Sequence, residues 1–414
     1  EQSNNKLNLE KFSSLVFQFY EENNLEPFSS WSNALSYIDE RQGNKKLVLV
    51  IDEFPYLVKK NRALLSEFQH LIDHKLTSGK MFLILSGSYM GFMEKEVLGS
   101  NSPLFGRRTA QLHMKPFTYQ TSAKFMTGFS DEEKLMLYGA YGGTPLYLQQ
   151  INEKESFEEN IKRTYLKVTS YLYEEALLLL RQEVQEPGVY SAIIEAIASG
   201  YTKANEISTK IGEDSAKCLK YIKTLCELGI LHKETPFGEK ESSRKTIYGI
   251  SDFMFRFWYR YVFTNRTLIE TGAQQVVWEK RIKPDYCSYM GLVFEKVCMD
   301  YLNSKNARGE LPILYTSIGR WWGTNAATHG QEEIDLIAND GKDYLFGECK
   351  WRNEKLDISV LKDLKAKADA FRINRRNSYY VLFSKSGFTE AVLNEVRSDD
   401  SILLVDLAEL MTSC

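Results

Sequence analysis

Lys46-Leu47-Val48-Leu49-Val50-Ile51-Asp52-Glu53 is a run of five apolar residues closed by two carboxylates. A run this short, rich in β-formers and bounded by polar residues, predicts a strand of a parallel sheet covered on both faces. Met81-Phe82-Leu83-Ile84-Leu85 has the same form. Between the two runs, residues 62–75 place Leu64, Leu65, Phe68, Leu71 and Ile72 on one side of a helix. Strand, helix, strand at this spacing is a βαβ unit, which crosses over right-handed in a parallel sheet. The first domain is therefore expected to be α/β.

The carboxylates at the exit of the first run have a chemical reading. Ligands of open parallel sheets bind beyond the carboxyl ends of the strands. There Asp52 is placed to hold the hydration shell of Mg²⁺ and Glu53 to polarise an attacking water, the Walker B arrangement. The second run ends at Ser86-Gly87-Ser88, so Ser86 and Ser88 offer hydroxyls to a γ-phosphate or to that water. Phe105-Gly106-Arg107-Arg108 follows, and the guanidinium groups of Arg107 and Arg108 suit transition-state charge as well as a plain surface ion pair.

The rest of the chain changes character several times. Residues 131–185 read as helical, broken at Gly142-Gly143-Thr144-Pro145. Helices over 189–199, 204–211 and 215–228 then precede β-rich pieces at 230–234 and 246–250, the layout of a winged helix. The third helix offers Lys217, Lys220 and Lys223 to a phosphate backbone, and the loop between the β pieces adds Lys240, Arg244 and Lys245. Over 203–245, nine basic residues stand against seven acidic ones, so the bias is mild and an intramolecular lid or protein-binding module is the alternative to DNA contact. An aromatic-rich helical stretch links this region to a further α/β region from about residue 286.

In that last region, Glu332-Glu333-Ile334-Asp335-Leu336-Ile337-Ala338 and Asp343-Tyr344-Leu345-Phe346-Gly347-Glu348-Cys349-Lys350 flank Asn339-Asp340-Gly341-Lys342. With Asp340-Gly341 as a two-residue loop, a hairpin sets Asp335 opposite Phe346, on the face that carries Glu348 and Lys350. Two carboxylates and one amine then meet. Asp335 and Glu348 suit Mg²⁺, a hard ion with oxygen ligands, and Lys350 suits a water or developing negative charge.

Composition bounds these readings. At 414 residues the chain is too long for one core, and its net charge of −3 confines any nucleic-acid contact to a local patch. No apolar run is long enough to cross a bilayer, and no signal peptide or membrane partner is expected. Six scattered cysteines without a C-x-x-C pair fit reduced thiols in the cytoplasm.

The order Ile-Asp-Glu-Phe-Pro-Tyr from Ile51, Ser-Gly-Ser-Tyr-Met-Gly-Phe-Met-Glu from Ser86, and Ser-Pro-Leu-Phe-Gly-Arg-Arg-Thr from Ser102 resembles the archaeal-type ATPases, which are AAA+/STAND-like P-loop NTPases. The resemblance runs over essentially the whole chain. It implies a P-loop core (1–128), a helical lid (129–187) whose Gly-Gly-x-Pro element is Gly142, Gly143 and Pro145, a winged helix (188–250), a helical connector (251–285) and a restriction-endonuclease-like domain (286–414). The D…E-x-K order of Asp335, Glu348 and Lys350 is similar to the PD-(D/E)XK nucleases, although Ile334 stands where proline is usual. That likeness adds Glu295 as a supporting acid. ATP and Mg²⁺ are the implied cofactors; DNA, a second copy of the chain or a partner protein are the implied partners. The chain contains no G-x-x-x-x-G-K-[ST], and Gly43-Asn44-Lys45-Lys46 and Gly79-Lys80-Met81 lack its spacing. The resemblance places that loop upstream of a stretch like residues 1–24, so nucleotide binding by these 414 residues alone is expected to be poor. The rival expectation is a non-enzymatic winged-helix regulator with inactive ATPase and nuclease folds.

Overall fold

Leu47–Ile51 forms strand β1 and Met81–Leu85 forms β2, paired in parallel from Leu47↔Met81 to Ile51↔Leu85. The structure is a computed structural model; it describes residues 5–23, 25–43, 45–74, 81–88, 90–324, 330–371 and 375–412. Before β1 come helices α1 (Asn5–Phe19) and α2 (Trp31–Gln42); after it come α3 (Phe54–Lys60) and α4 (Leu64–His74). The crossover helix expected over 62–75 is α4, and α3 is an additional short helix before it. Pro55 sits in the first turn of α3, where its missing N–H is harmless, and Asn61 ends that helix. Lys75, Gly79, Lys80 and Asn44 lie outside the described residues.

One expectation for these strands is corrected. Leu49, Ile51, Leu83 and Leu85 pack into a core with Phe54, Leu64, Leu65, Phe68 and Leu71, but the opposite face is bare. Val48 and Phe82 are 60% and 59% exposed, and Val50 and Ile84 are exposed beside them. The reason is the period of a strand: successive side chains point to opposite faces. Among the described residues, α1 to α4 all supply apolar side chains to the core on one of those faces. This unit spans Glu1–Met114.

Lys115–Cys414 forms the second compact unit. Its helices of seven or more residues begin with α5 (Asp131–Tyr141), α6 (Phe157–Tyr165), α7 (Tyr171–Glu183), α8 (Pro187–Ala198), α9 (Ala204–Ile211) and α10 (Ser215–Glu227). Serine caps start α5 and α6, where Ser130 with Glu133 and Ser156 with Glu159 complete capping boxes. Strands β3 (Leu231–Glu234) and β4 (Ile247–Ile250) form an antiparallel hairpin after α10.

The long helix α11 (Tyr286–Ala307) leads into a five-stranded sheet in the order β5-β6-β7-β8-β9. Its strands are Ser317–Thr324, Gln331–Asn339, Tyr344–Lys350, Ser378–Ser384 and Ile402–Asp406. The first two pairings are antiparallel and the last two parallel, with α12 (Ile358–Ala370) and α13 (Glu390–Val396) as crossovers. One sheet face, with Leu336, Leu345, Val381 and Phe383, belongs to the same core as Trp258, Tyr259, Tyr289 and Val293 from the helices. The other face packs Ile337, Phe346 and Leu382 on Leu361, Leu364 and Ala368 of α12. No helix among the described residues is long and apolar enough to cross a membrane.

Candidate functional site

At the carboxyl ends of β1 and β2 the backbone brings Asp52 and Ser86 together. Ser86 N–H donates to Ile51 O (3.1 Å) and Phe54 N–H donates to Ser86 O (2.9 Å), which stitches the two strand exits side by side. Glu53 between them adopts a left-handed backbone (φ 53°, ψ 39°), a costly conformation for a residue with a side chain. Ser86 Oγ donates to Asp52 Oδ1 at 2.6 Å, and Glu53 N–H donates to the same oxygen at 3.0 Å. Ser88 N–H donates to Glu53 Oε2 at 3.3 Å. Gly87 is required here, because a Cβ would lie 2.5 Å from Pro55 Cδ.

Arg107 and Arg108 bond to groups other than that pair. Arg107 makes a bidentate ion pair with Asp73 of α4 (2.7 and 2.8 Å) and also donates to Pro103 O, and these bonds hold the Asp73 carboxyl below its usual range. Arg108 is exposed and donates to Gln111 at 2.5 Å. Arg107 thus has the ion-pair environment that was one of its two readings.

In the second unit, Gly142 ends α5 with φ 67°, and Pro145 opens the next helical turn. Gly143 is a packing position: Phe117 N–H donates to its carbonyl (2.8 Å), and a Cβ on it would fall 2.0 Å from Phe117 O.

The basic residues around the β3–β4 hairpin are partly committed. Lys217 pairs with Glu213 (3.1 Å), Lys223 with Glu227 (4.0 Å) and Lys245 with Glu239 (2.7 Å). Lys220, Lys240 and Arg244 are exposed.

The acidic residues of the sheet do meet. Asp335 and Glu348 are each 5% exposed, and Lys350 Nζ lies 2.5 Å from Glu348 Oε1 and 3.9 Å from Asp335 Oδ2. Cys349 N–H donates to Asp335 Oδ2 at 2.8 Å. Burial, then the neighbouring Glu348 charge, push the Asp335 pKa up to about 6, against the pull of Lys350. For Lys350 burial opposes the charge, but the two carboxylates outweigh it and raise the pKa.

The hairpin register that delivers this cluster differs from the expected one. Leu336 pairs with Gly347 and Ile337 with Phe346, so Asp335 is not opposite Phe346. The turn has four residues, 340–343, instead of two. Asp340 Oδ1 accepts Lys342 N–H and Asp343 N–H, Gly341 takes φ 94°, and Asp343 is pinned by Arg376 and by Asn377 N–H. A slip of two preserves the facing of every side chain, which is why the cluster survives.

Two contacts of these acids were not foreseen from the sequence. Lys367 of α12 places Nζ 3.2 Å from Glu348 Oε2. Arg320 of β5 reaches Glu295 Oε2 (3.2 Å), Glu234 Oε2 (3.3 Å) and Glu333 Oε2 (3.7 Å). Glu295 therefore engages Arg320, and its pKa rises to about 7 because burial outweighs the guanidinium. Among the described residues, no three His, Cys, Asp or Glu side chains are grouped as metal ligands. Asp335 and Glu348 alone match the one or two carboxylates that Mg²⁺ takes from a protein beside substrate phosphates.

Comparison with known proteins gives these sites a setting. Residues 2–151 match a family described as an ATPase domain predominantly from Archaea, and residues 258–366 match archaeal and bacterial proteins of unknown function. The uncharacterized protein MJECL04 of Methanocaldococcus jannaschii is 35% identical over 369 residues, which is 88% of this chain and 80% of that one. The uncharacterized protein MJ0424 of the same organism is 42% identical over 52 residues, 13% of this chain and 50% of its own length. The crystal structure of VC1899 from Vibrio cholerae aligns over 97% of this chain and 84% of its own at 11% identity, with a TM-score of 0.24. The Asp52–Ser86 pair falls inside the ATPase match, and with a relative aligned over most of both lengths the chain belongs to the archaeal-type ATPase family.

Proposed function

We propose that this protein is an AAA+/STAND-like switch ATPase coupled to a nuclease-like C-terminal region of the PD-(D/E)XK type, with a winged helix at 188–250 between them. The observation that carries the coupled reading is the buried meeting of Asp335, Glu348 and Lys350 at one point of a mixed sheet. Two desolvated carboxylates beside one amine are costly to fold and gain little stability in return. Such groups cluster where chemistry is done. DNA is the proposed substrate, and Lys217, Lys220, Lys223, Lys240, Arg244 and Lys245 are the proposed phosphate contacts.

In the ATPase unit, Asp52 would hold Mg²⁺ through its hydration shell, and Ser86 fixes the orientation of that carboxylate. Glu53 would orient a water, Ser88 would sense the phosphate and Arg108 would reach charge at a shared face; Gly142, Gly143 and Pro145 would belong to the lid. In the sheet, Asp335 and Glu348 would hold Mg²⁺, which when bound supplies charge stabilisation to a phosphodiester and acidifies a water. Lys350 would hold that water or the developing charge, and Lys367 holds Glu348 in place.

The test is Mn²⁺- or Mg²⁺-dependent cleavage of plasmid by the wild type beside Asp335→Ala and Lys350→Ala. Cleavage lost in both variants supports the reading, and equal cleavage in all three rejects it. A second reading, a non-enzymatic regulator, is favoured by Lys350 and Lys367 together already neutralising Glu348. Glu53→Gln in a protein that also carries a phosphate-binding loop separates the two, because ATP trapped without turnover requires a working site.

A further inference from the structure

Arg320 stands where β6 carries one residue too many. Gly319 pairs with Ile337 and Trp321 with Ile334, so Arg320 faces both Asp335 and Leu336 across a β-bulge. Bulges of this kind re-aim side chains beside active sites. The guanidinium so aimed is shared among three carboxylates from three elements: Glu234 of β3, Glu295 of α11 and Glu333 of β6. The sharing is unequal. Arg320 Nη1 donates a hydrogen bond to Glu234, whereas Glu295 Oε2 is buried with no hydrogen bond among the described residues, although Arg320 Nε lies 3.2 Å away, off line.

What draws the guanidinium toward Glu234 is the docking of the β3–β4 hairpin on the sheet. Phe237, just past β3, donates its N–H to Arg320 O at 2.7 Å. Its ring meets those of Tyr344 and Phe371, each at a centroid distance of 6.5 Å. Gly319 lies beside that ring, where a Cβ would sit in ordinary contact at 3.6 Å. The hairpin is thus keyed to the same bulge that carries Asp335.

We propose that Arg320 is a positioning residue for Glu295 beside the acidic site, and that the docked β3–β4 hairpin restrains the site by holding Arg320 on Glu234. Release of the hairpin returns the guanidinium to Glu295, whose buried oxygen then gains the hydrogen bond it lacks. A buried acceptor left unbonded favours any rearrangement that satisfies it. The control device rests on the nuclease-like reading only for what the site does, because the exchange of partners stands on geometry alone.

The experiment uses the 414-residue protein, with Glu234→Gln as the mild variant and Phe237→Ala as a second that touches no charge. Hydrogen exchange is followed in peptides covering 231–250 and 290–300, with 47–51 as a folding control. Both variants are expected to speed exchange in the hairpin at least fivefold and to slow it at least threefold around Glu295, and Arg320→Gln added to either should erase the slowing. Unchanged or faster exchange around Glu295 in both variants overturns the proposal. Mn²⁺-dependent cleavage of a fluorescein-labelled oligonucleotide should show kcat raised at least threefold at constant KM. Wild-type kcat in both variants overturns the control function. Slower exchange around Glu295 with no cleavage by any protein, wild type included, upholds the partner exchange and rejects the nuclease reading instead.

Discussion

Lys367 Nζ lies 3.2 Å from Glu348 Oε2 while Lys350 Nζ holds Oε1 of the same carboxylate at 2.5 Å, so one buried acid is clasped by two amines from different elements. Removing one clasp leaves a desolvated charge half compensated. Lys367→Met is expected to destabilise the second unit by about 1–3 kcal/mol in urea melts. Adding Glu348→Gln should recover part of that loss; a double variant less stable than the single one would mean that the lysine acts through packing.

Gly143 tests whether the Gly-Gly-x-Pro element is structural. A Cβ at 2.0 Å from Phe117 O meets backbone that has little freedom to withdraw. Gly143→Ala should cost about 3 kcal/mol, read as a lower melting temperature. Unchanged stability would free the position for a direct role in ligand contact.

Glu295 gives a pH signature. Its carboxyl titrates near 7 in the folded protein, above the ordinary 4.5, so the folded state binds its proton more tightly. Its contribution is therefore fully present below pH 4.5 and is lost as pH rises to about 7. Glu295→Gln should flatten the fall in stability across that window, by at most about 3 kcal/mol. The measurement is the wild-type minus variant difference in urea midpoint at pH 5 and pH 8, and a difference independent of pH would refute the shift.

The bare face of β1 and β2 predicts dye binding. Val48, Val50, Phe82 and Ile84 should bind the hydrophobic dye ANS in the native protein. Val50→Thr with Phe82→Thr keeps strand propensity and should lower that fluorescence by half or more, with stability changed by no more than about 0.5 kcal/mol. A large loss of stability would show that the face is covered in solution.

What the sequence disclosed followed local signals. Leu47–Ile51 and Met81–Leu85 were legible because five apolar residues between polar ends leave few alternatives to a buried strand. Ala204–Ile211 was legible because its apolar period ends at Gly212. The turn at Asp340-Gly341 was misread because its length is set by Arg376 and Asn377, more than thirty residues away in sequence. The pairings of Lys367 and Arg320 carried no local signal: their partners Glu348 and Glu234 are 19 and 86 residues distant. The exposed face was missed because a fully apolar strand cannot announce which of its two sides is covered.

The bulge at Asp335 also acts as a counter. Ile334 and Ile337 reach the same buried layer three residues apart, where an even strand would need two or four. Deleting Leu336 would restore an even count: Ile334 and Glu333 would keep their sides, but the bulge opposite Arg320 would be lost. Homologous chains that keep the acid should therefore keep the odd interval, whatever residues fill it. Length between those two isoleucines becomes a marker of the site that can be read without knowing a single side chain in between.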